Sequence, residues 1–120
     1  MTPFGHRIRE LREEKNVTLG QMATDLGVSS AYLSALERGH RGRPGPGFVM
    51  QVSGYFDLIW DDAEALKALA RLSHPRVQVD TANLSPDATE LANRLADGIA
   101  DLDEATLGRL LQMVKTGAGD

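Results

Sequence analysis

Residues 7–39 read RIRELREEKNVTLGQMATDLGVSSAYLSALERG, and this stretch decides the fold. It holds two short apolar segments, the first between Thr18 and Gly27 and the second between Ser29 and Gly39. A hydroxyl side chain accepts a hydrogen bond from the free N–H groups at a helix start, and glycine adopts the left-handed conformation that closes a helix. These signals predict two short helices joined by a tight turn.

The rest of the chain also has the apolar spacing that is typical of helices. Thr2-Pro3 and Ser85-Pro86 combine a hydroxyl cap with a proline at the first helical position, which favours a helix start. The predicted helices cover residues 3–15, 19–26, 30–38, 48–56 and 61–73, and two more begin at residues 86 and 104. The fold class is therefore all-α.

This pattern predicts a five-helix domain over residues 1–73 and a C-terminal helical hairpin over residues 85–116, followed by a frayed tail at residues 117–120. Residues 74–84 are predicted to be a linker or a short strand, because polar and apolar residues alternate from Arg76 to Thr81. A lone strand has no partner within this chain. If it forms, a second copy of the protein is the obvious place to pair it.

The C-terminal helices each have one apolar stripe, and two such helices bury little surface without a partner. An intramolecular hairpin, a ligand pocket and a dimer interface would each cover these stripes, and we favour a homodimer. The predicted dimerisation residues are Leu91, Leu95, Ile99, Leu107, Leu110, Leu111 and Val114.

The composition excludes several classes of protein. There is no cysteine, which rules out disulfides, thiolate zinc sites and a cysteine nucleophile. The N-terminus has no apolar run behind a basic start, and no stretch approaches a membrane span, so we expect a cytoplasmic protein. The net charge is −4, yet the acidity belongs to residues 61–120, so a cationic patch for nucleic acid is still compatible with residues 1–60.

The segment after the second short helix is the cationic patch. Residues 39–47 contain four glycines and two prolines, which predicts a loop throughout. Arg38, Arg41 and Arg43, together with His40, lie within six residues on or beside this loop. Such a backbone approaches phosphates closely while the arginines supply charge, so we predict contacts with DNA.

Residues 4–60 resemble the Cro/CI-type, or XRE, family of helix-turn-helix regulators from bacteria and phages. Two short helices around a tight glycine turn fit this resemblance, since Ala23 must be small where the helices touch. The features that carry the resemblance are the Arg-Ile-Arg-x-Leu-Arg start at residues 7–12, Thr18, Ala23 four residues before Gly27, Gly27-Val28-Ser29, Tyr32-Leu33-Ser34 and Glu37-Arg38-Gly39.

The resemblance implies that the third helix enters a major groove of double-stranded DNA. The residues that it implies face base edges are Ser29, Ser30, Ala31, Ser34 and Ala35. The residues that it and the loop assign to phosphates or a minor groove are Thr18, Tyr32, Arg38, His40, Arg41 and Arg43. In the family, the counterpart of Glu37 pairs with the counterpart of Arg12, so we expect a structural ion pair. Tyr32 has the alternative of packing on the domain surface.

The base-facing side chains are small, and the family often places glutamine at the positions of Leu19 and Ser30. We therefore expect DNA shape to supply part of the specificity. The predicted function is a repressor that binds a pseudo-palindromic operator as a homodimer, with no cofactor, no metal and no catalytic set of residues. The alternative is an antitoxin-like or adaptor protein whose C-terminal helices bind another protein.

Overall fold

Seven α-helices and no strand form within residues 1–40 and 44–118, which are the residues that a computed structural model describes. The all-α fold class is thereby confirmed. The helices are α1 (Pro3–Lys15), α2 (Leu19–Leu26), α3 (Ser30–Arg38), α4 (Pro46–Tyr55), α5 (Trp60–Arg71), α6 (Pro86–Gly98) and α7 (Glu104–Gly117), with a 3-10 turn at Ile99–Asp101. The chain divides into two compact units, unit 1 (Met1–Val77) and unit 2 (Gln78–Asp120).

Helix starts in unit 1 are set by the hydroxyl caps that the sequence predicts. The side-chain oxygens of Thr2, Thr18 and Ser29 each accept a hydrogen bond of 3.0 Å from a backbone N–H group three residues later. The ends of α2 and α3 also lie at predicted residues, because Gly27 (φ 71°) and Gly39 (φ 78°) both adopt the left-handed conformation that ends a helix. The bounds of α2 and α3 agree with the prediction.

Helix α4 begins two residues earlier than predicted, so the loop prediction for residues 39–47 is wrong at its end. Pro46 occupies the first helical position, where the missing N–H group has no intrahelical partner to lose. Helix α5 is shorter than predicted, because it begins at Trp60 and ends at Arg71. Residues 77–81 have no regular secondary structure.

The core of unit 1 lies where five helices meet. Helix α1 packs against α3 and α5, α2 packs against α3 and α4, and α4 packs against α5. The buried apolar residues are Phe4, Ile8, Leu11, Met22, Ala23, Leu33, Leu36, Val49, Val52, Phe56, Leu66 and Ala70. Every helix of unit 1 contributes to this core, which makes the unit a rigid support for side chains on its surface.

A buried serine ties the two ends of unit 1 together. Ser73 lies just beyond α5 and is 2% exposed. Its hydroxyl oxygen accepts a 2.9 Å hydrogen bond from the backbone N–H group of Phe4 and donates one of 2.6 Å to the carbonyl oxygen of Leu69. The first N–H groups of a helix have no intrahelical acceptor. Ser73 therefore satisfies a buried donor of α1 from a position 69 residues away.

Unit 2 consists of α6, the 3-10 turn and α7, and none of its described residues is buried. Ser85 and Asp103 cap the two helices by accepting hydrogen bonds from Ala88 and Thr106. In neither unit is any described helix long and apolar enough to cross a membrane.

Candidate nucleic-acid interface

Helix α3 has one buried face and one open face. Leu33, Leu36 and Glu37 are buried against the rest of unit 1. The predicted base-facing residues lie opposite them: Ser29, Ser30 and Ala31 are exposed, and Ser34 and Ala35 are half-buried. The open face is therefore a ridge of small side chains held by a buried anchor, which is the shape that fits a major groove.

Arg38 extends this ridge. It follows Ser34 by four residues and Ala31 by seven, so helical periodicity places all three on one face of α3. Arg38 is exposed and forms no ion pair with any residue in the ranges 1–40 and 44–118. Its guanidinium group is thus a cation with its five donors available to an anion or a base edge.

Two further hydroxyl groups stand at helix starts on the surface. Thr18 and Ser29 are exposed, and each hydroxyl oxygen already accepts a backbone hydrogen bond, from Gln21 and Tyr32 respectively. A hydroxyl that accepts in this way still has its own hydrogen to donate. Both side chains are therefore oriented by their helices and can donate to a phosphate oxygen.

Of the loop residues predicted to contact DNA, the structure describes His40. His40 is exposed, and its backbone N–H group donates to the carbonyl oxygen of Ala35 at 2.9 Å, which completes the end of α3. The predicted contacts of Arg41 and Arg43 lie outside the described residues.

Tyr32 packs on the surface of unit 1. Its ring meets the ring of Phe48 edge to face, with the centroids 5.7 Å apart. Aromatic rings attract each other in this arrangement, because the positive edge of one meets the negative face of the other. Tyr32 therefore packs on the domain surface, which is one of the two roles predicted from the sequence. Its contact with a phosphate stays a prediction.

The ion pair between Arg12 and Glu37 links α1 to α3. The guanidinium group donates to both carboxylate oxygens, from Nε to Oε2 at 2.8 Å and from Nη2 to Oε1 at 3.1 Å. Glu37 is 1% exposed, and Arg9 approaches it as well, at 3.6 Å. The hydrogen bond to Glu37 raises the pKa of Arg12 above its ordinary value. The pair thus joins α3 to α1 directly, as a structural ion pair would; its effect on stability stays a prediction.

The sequence analysis missed Gly5, which fixes the same contact from the other side. A Cβ atom at this position would lie 2.7 Å from the Cα atom and 2.8 Å from the carbonyl carbon of Glu37. Only glycine allows the two helix backbones to approach so closely. The sequence held no specific signal for this contact, because other helical glycines of the chain, such as Gly54 and Gly108, would meet nothing within 4 Å of an added Cβ atom.

A surface network that the sequence analysis also missed joins α2 to α4. The hydroxyl of Tyr55 donates to Asp25 Oδ2 at 2.6 Å, and the amide of Gln21 donates to Asp25 Oδ1 at 2.8 Å. Desolvation and this hydrogen bond raise the pKa of Tyr55 to about 12. Lys15 donates to the carbonyl oxygen of Tyr55 at 3.2 Å and so brings α1 into the network.

The predicted dimerisation residues lie in unit 2 with much of their apolar surface uncovered. Leu91, Ile99, Leu111 and Val114 are exposed, each by half or more, and Leu95, Leu107 and Leu110 are half-buried. Leaving such side chains in water forgoes hydrophobic stabilisation of roughly 1.5–3 kcal/mol for each full burial. A partner for this stripe stays a prediction.

Comparisons with known proteins agree with the geometry of unit 1. Residues 3–58 match the family model described as a helix-turn-helix domain. The chain is 35% identical over 65 residues to the uncharacterized HTH-type transcriptional regulator RghRB of Bacillus subtilis (strain 168), which covers 54% of this chain and 47% of that protein. It is 43% identical over 53 residues to the HTH-type transcriptional repressor RghR of the same organism, covering 44% of this chain and 39% of that protein.

The matched region spans less than half the length of either relative. A solved complex of SinR protein and SinI protein is also similar, with 23% identity over 98% of this chain and 99% of that chain, at a TM-score of 0.46. The family model falls on the helices α1 to α4, where the caps, the glycine turn and the Arg12–Glu37 pair lie. Residues 3–58 therefore match a helix-turn-helix domain, which supports the resemblance to the XRE, or Cro/CI-type, family.

Proposed function

We propose that this protein is a transcriptional repressor that binds a pseudo-palindromic operator in double-stranded DNA as a homodimer. The observation that carries the proposal is the open face of α3, a ridge of small side chains that ends in Arg38, which has no ion pair among residues 1–40 and 44–118. A cytoplasmic protein that associates with the nucleoid through DNA fits this role. The relatives named as transcriptional regulators support the same reading.

The chemistry of the ridge sets the mode of readout. Ser30 and Ser34 can each form one hydrogen bond with a base edge, and Ala31 and Ala35 can contact thymine methyl groups. Arg38 is the only residue of α3 with a bidentate donor, and its guanidinium group contacts a phosphate or enters a minor groove at the end of the ridge. With few direct contacts available, sequence-dependent DNA shape supplies the rest of the discrimination.

The positioning of the ridge follows from unit 1. The hydroxyl group of Thr18 donates to a phosphate and fixes the register of α3 along the groove, while Ser29 faces a base edge. The arginines at positions 41 and 43 add positive charge beside the DNA backbone, where the His40 side chain also contacts phosphate, so binding weakens as salt rises. No step requires a cofactor, because a bound dimer represses by occupying the promoter.

Two copies are needed for affinity and symmetry. A single helix-turn-helix unit covers few base pairs, whereas a dimer binds two half-sites about one helical turn apart. Unit 2 supplies the surface that holds the copies together, namely the apolar stripe that includes Leu91, Ile99, Leu111 and Val114. Burial of this stripe between copies provides the hydrophobic stabilisation that each copy lacks by itself.

Selection of genomic DNA tests the proposal. Purified protein is mixed with sheared DNA of its own host at about 150 mM salt, a concentration that suppresses binding through phosphates alone, and the retained fragments are sequenced. The proposal predicts a few enriched fragments that share a two-fold symmetric motif. Uniform retention, or none, would contradict it and favour the alternative in which the C-terminal helices serve a protein partner.

A further inference from the structure

The segment Arg76–Asp80 alternates polar and apolar residues, and its one hydrogen bond among the described residues is accepted by Asp80 Oδ1 from the backbone N–H group of Ala82 at 2.9 Å. It reads Arg-Val-Gln-Val-Asp and is exposed along its whole length, with Val77 74% exposed and Val79 65% exposed. Its backbone groups form no backbone hydrogen bond with the described residues, and neither Arg76 nor Asp80 forms an ion pair with them. None of its residues has a positive φ that would prevent an extended conformation.

The sequence of this segment is complementary to itself in one arrangement. We infer that residues 76–80 pair with the same residues of a second copy as a two-stranded antiparallel ribbon centred on Gln78. In this register, Arg76 lies opposite Asp80 of the other copy and Asp80 lies opposite its Arg76. Val77 lies opposite Val79 in both directions, on the face away from the charged side chains.

Other registers lose this complementarity. A parallel pair in register would set Arg76 against Arg76 and Asp80 against Asp80, and like charges directly opposite destabilise a strand pair. An antiparallel pair shifted by two residues no longer sets Arg76 against Asp80, so both charges lose their opposite. A shift by one residue sets valine against glutamine and mixes the two faces. The charges and the valines therefore select one register together.

The ribbon rests on the proposed homodimer, because an isolated two-stranded pair is at best marginally stable in water. The stripe of unit 2 brings the copies together, and the ribbon then fixes their symmetry axis at Gln78. Residue 75 is a proline, which lacks an N–H donor and is compatible with a position at the start of a strand.

A disulfide at the symmetry axis is the first test. The chain has no cysteine, so Gln78→Cys introduces one thiol per copy. Directly opposite residues of an antiparallel pair have Cα atoms about 4.5–5.5 Å apart, which lies within the range for a disulfide. Under mild oxidation we expect Gln78→Cys to form a covalent dimer much faster than Glu13→Cys, an exposed position on α1 that reports random collisions.

Charge reversal tests the register. Arg76→Asp makes both cross-strand pairs acid against acid, and Asp80→Arg makes both base against base. We expect each variant alone to weaken the dimer about tenfold, since two favourable pairs become two unfavourable ones. A mixture of the two variants restores opposite charges in both pairs. Native mass spectrometry should therefore find well over half of all dimers as heterodimers, since random pairing of equal amounts gives about half.

Sedimentation of the wild-type chain separates the two proposals. A dimer in which Gln78→Cys cross-links no faster than Glu13→Cys, and in which the mixed variants pair at random, would overturn the ribbon and leave the repressor intact. A wild-type monomer would overturn the homodimer and the ribbon together. A dimer with rapid cross-linking and preferential heterodimers establishes the ribbon.

Discussion

Replacing Gly5 with alanine tests how α3 is held. The new Cβ atom would lie 2.7–2.8 Å from backbone atoms of Glu37, whereas carbon atoms in contact are about 3.5–4.0 Å apart. The atoms that obstruct it belong to a helix backbone, so α1 and α3 must separate by about 1 Å. Overpacking of this kind costs about 3 kcal/mol, which corresponds to a Tm lower by about 10–25 °C for a domain of this size.

Gly54→Ala is the matched control, because a Cβ atom on Gly54 meets nothing within 4 Å. It should raise Tm by a few degrees, since alanine favours a helix over glycine. Thermal unfolding is followed by the NMR signals of the Leu33 and Leu36 methyl groups, which report on unit 1. If both variants have the same Tm, α1 and α3 do not touch at Glu37 and the reasoning is refuted.

Three further changes probe the supports of the interface. Glu37→Ala should cost about 3 kcal/mol of unfolding free energy, because it leaves the Arg12 guanidinium without its partner. A double-mutant cycle with Arg12→Ala should show that the two changes are coupled. If their effects on the unfolding free energy simply add, the pair does not contribute as proposed. Ser73→Ala leaves a buried N–H group of α1 unpaired and should lower the unfolding free energy by about 1–3 kcal/mol. Hydrogen exchange at that amide should become faster. Unchanged exchange would show that Ser73 does not protect it. Tyr55 has a folded pKa of about 12, above its unfolded value near 10. Its stabilising contribution is therefore complete below about pH 10 and is lost as pH rises through about 12. Absorbance titration, with Tyr55→Phe as the blank, measures this pKa. Asp25→Ala should move the pKa of Tyr55 back towards 10. A Tyr55 pKa near 10 in the intact chain would contradict the network.

Local signals in the sequence predicted the elements that carry the interface. Helices α2 and α3 depend on caps and glycine turns within ten residues of one another, so Thr18, Ser29, Gly27 and Gly39 determine them without help from the rest of the chain. The apolar spacing of α3 predicted its inner face at Leu33 and Leu36, while the base-facing residues came from the family resemblance. These local signals were sufficient because no tertiary contact changes the bounds of α2 and α3.

The contacts that hold α3 in place were not predictable in the same way. Gly5 meets Glu37 across 32 positions of the chain, and Ser73 meets Phe4 across 69. Such partners depend on how the helices cross, which apolar spacing alone does not specify. The predicted start of α4 was wrong for a different reason. Pro46 and its neighbouring glycines are typical of loops, but a proline is also common at the first position of a helix.

The central claim is that the open face of α3 reads DNA. The most direct measurement compares Ala31→Glu with Ala65→Glu for binding to an enriched operator fragment. Both alanines are exposed, on α3 and α5, and both variants add one carboxylate. Ala31→Glu should weaken binding about 100-fold or more, because it sets a negative charge against DNA, while its position in the first turn of α3 leaves the fold stable. Ala65→Glu should bind almost as the wild type does. Equal binding by the two variants would contradict the account.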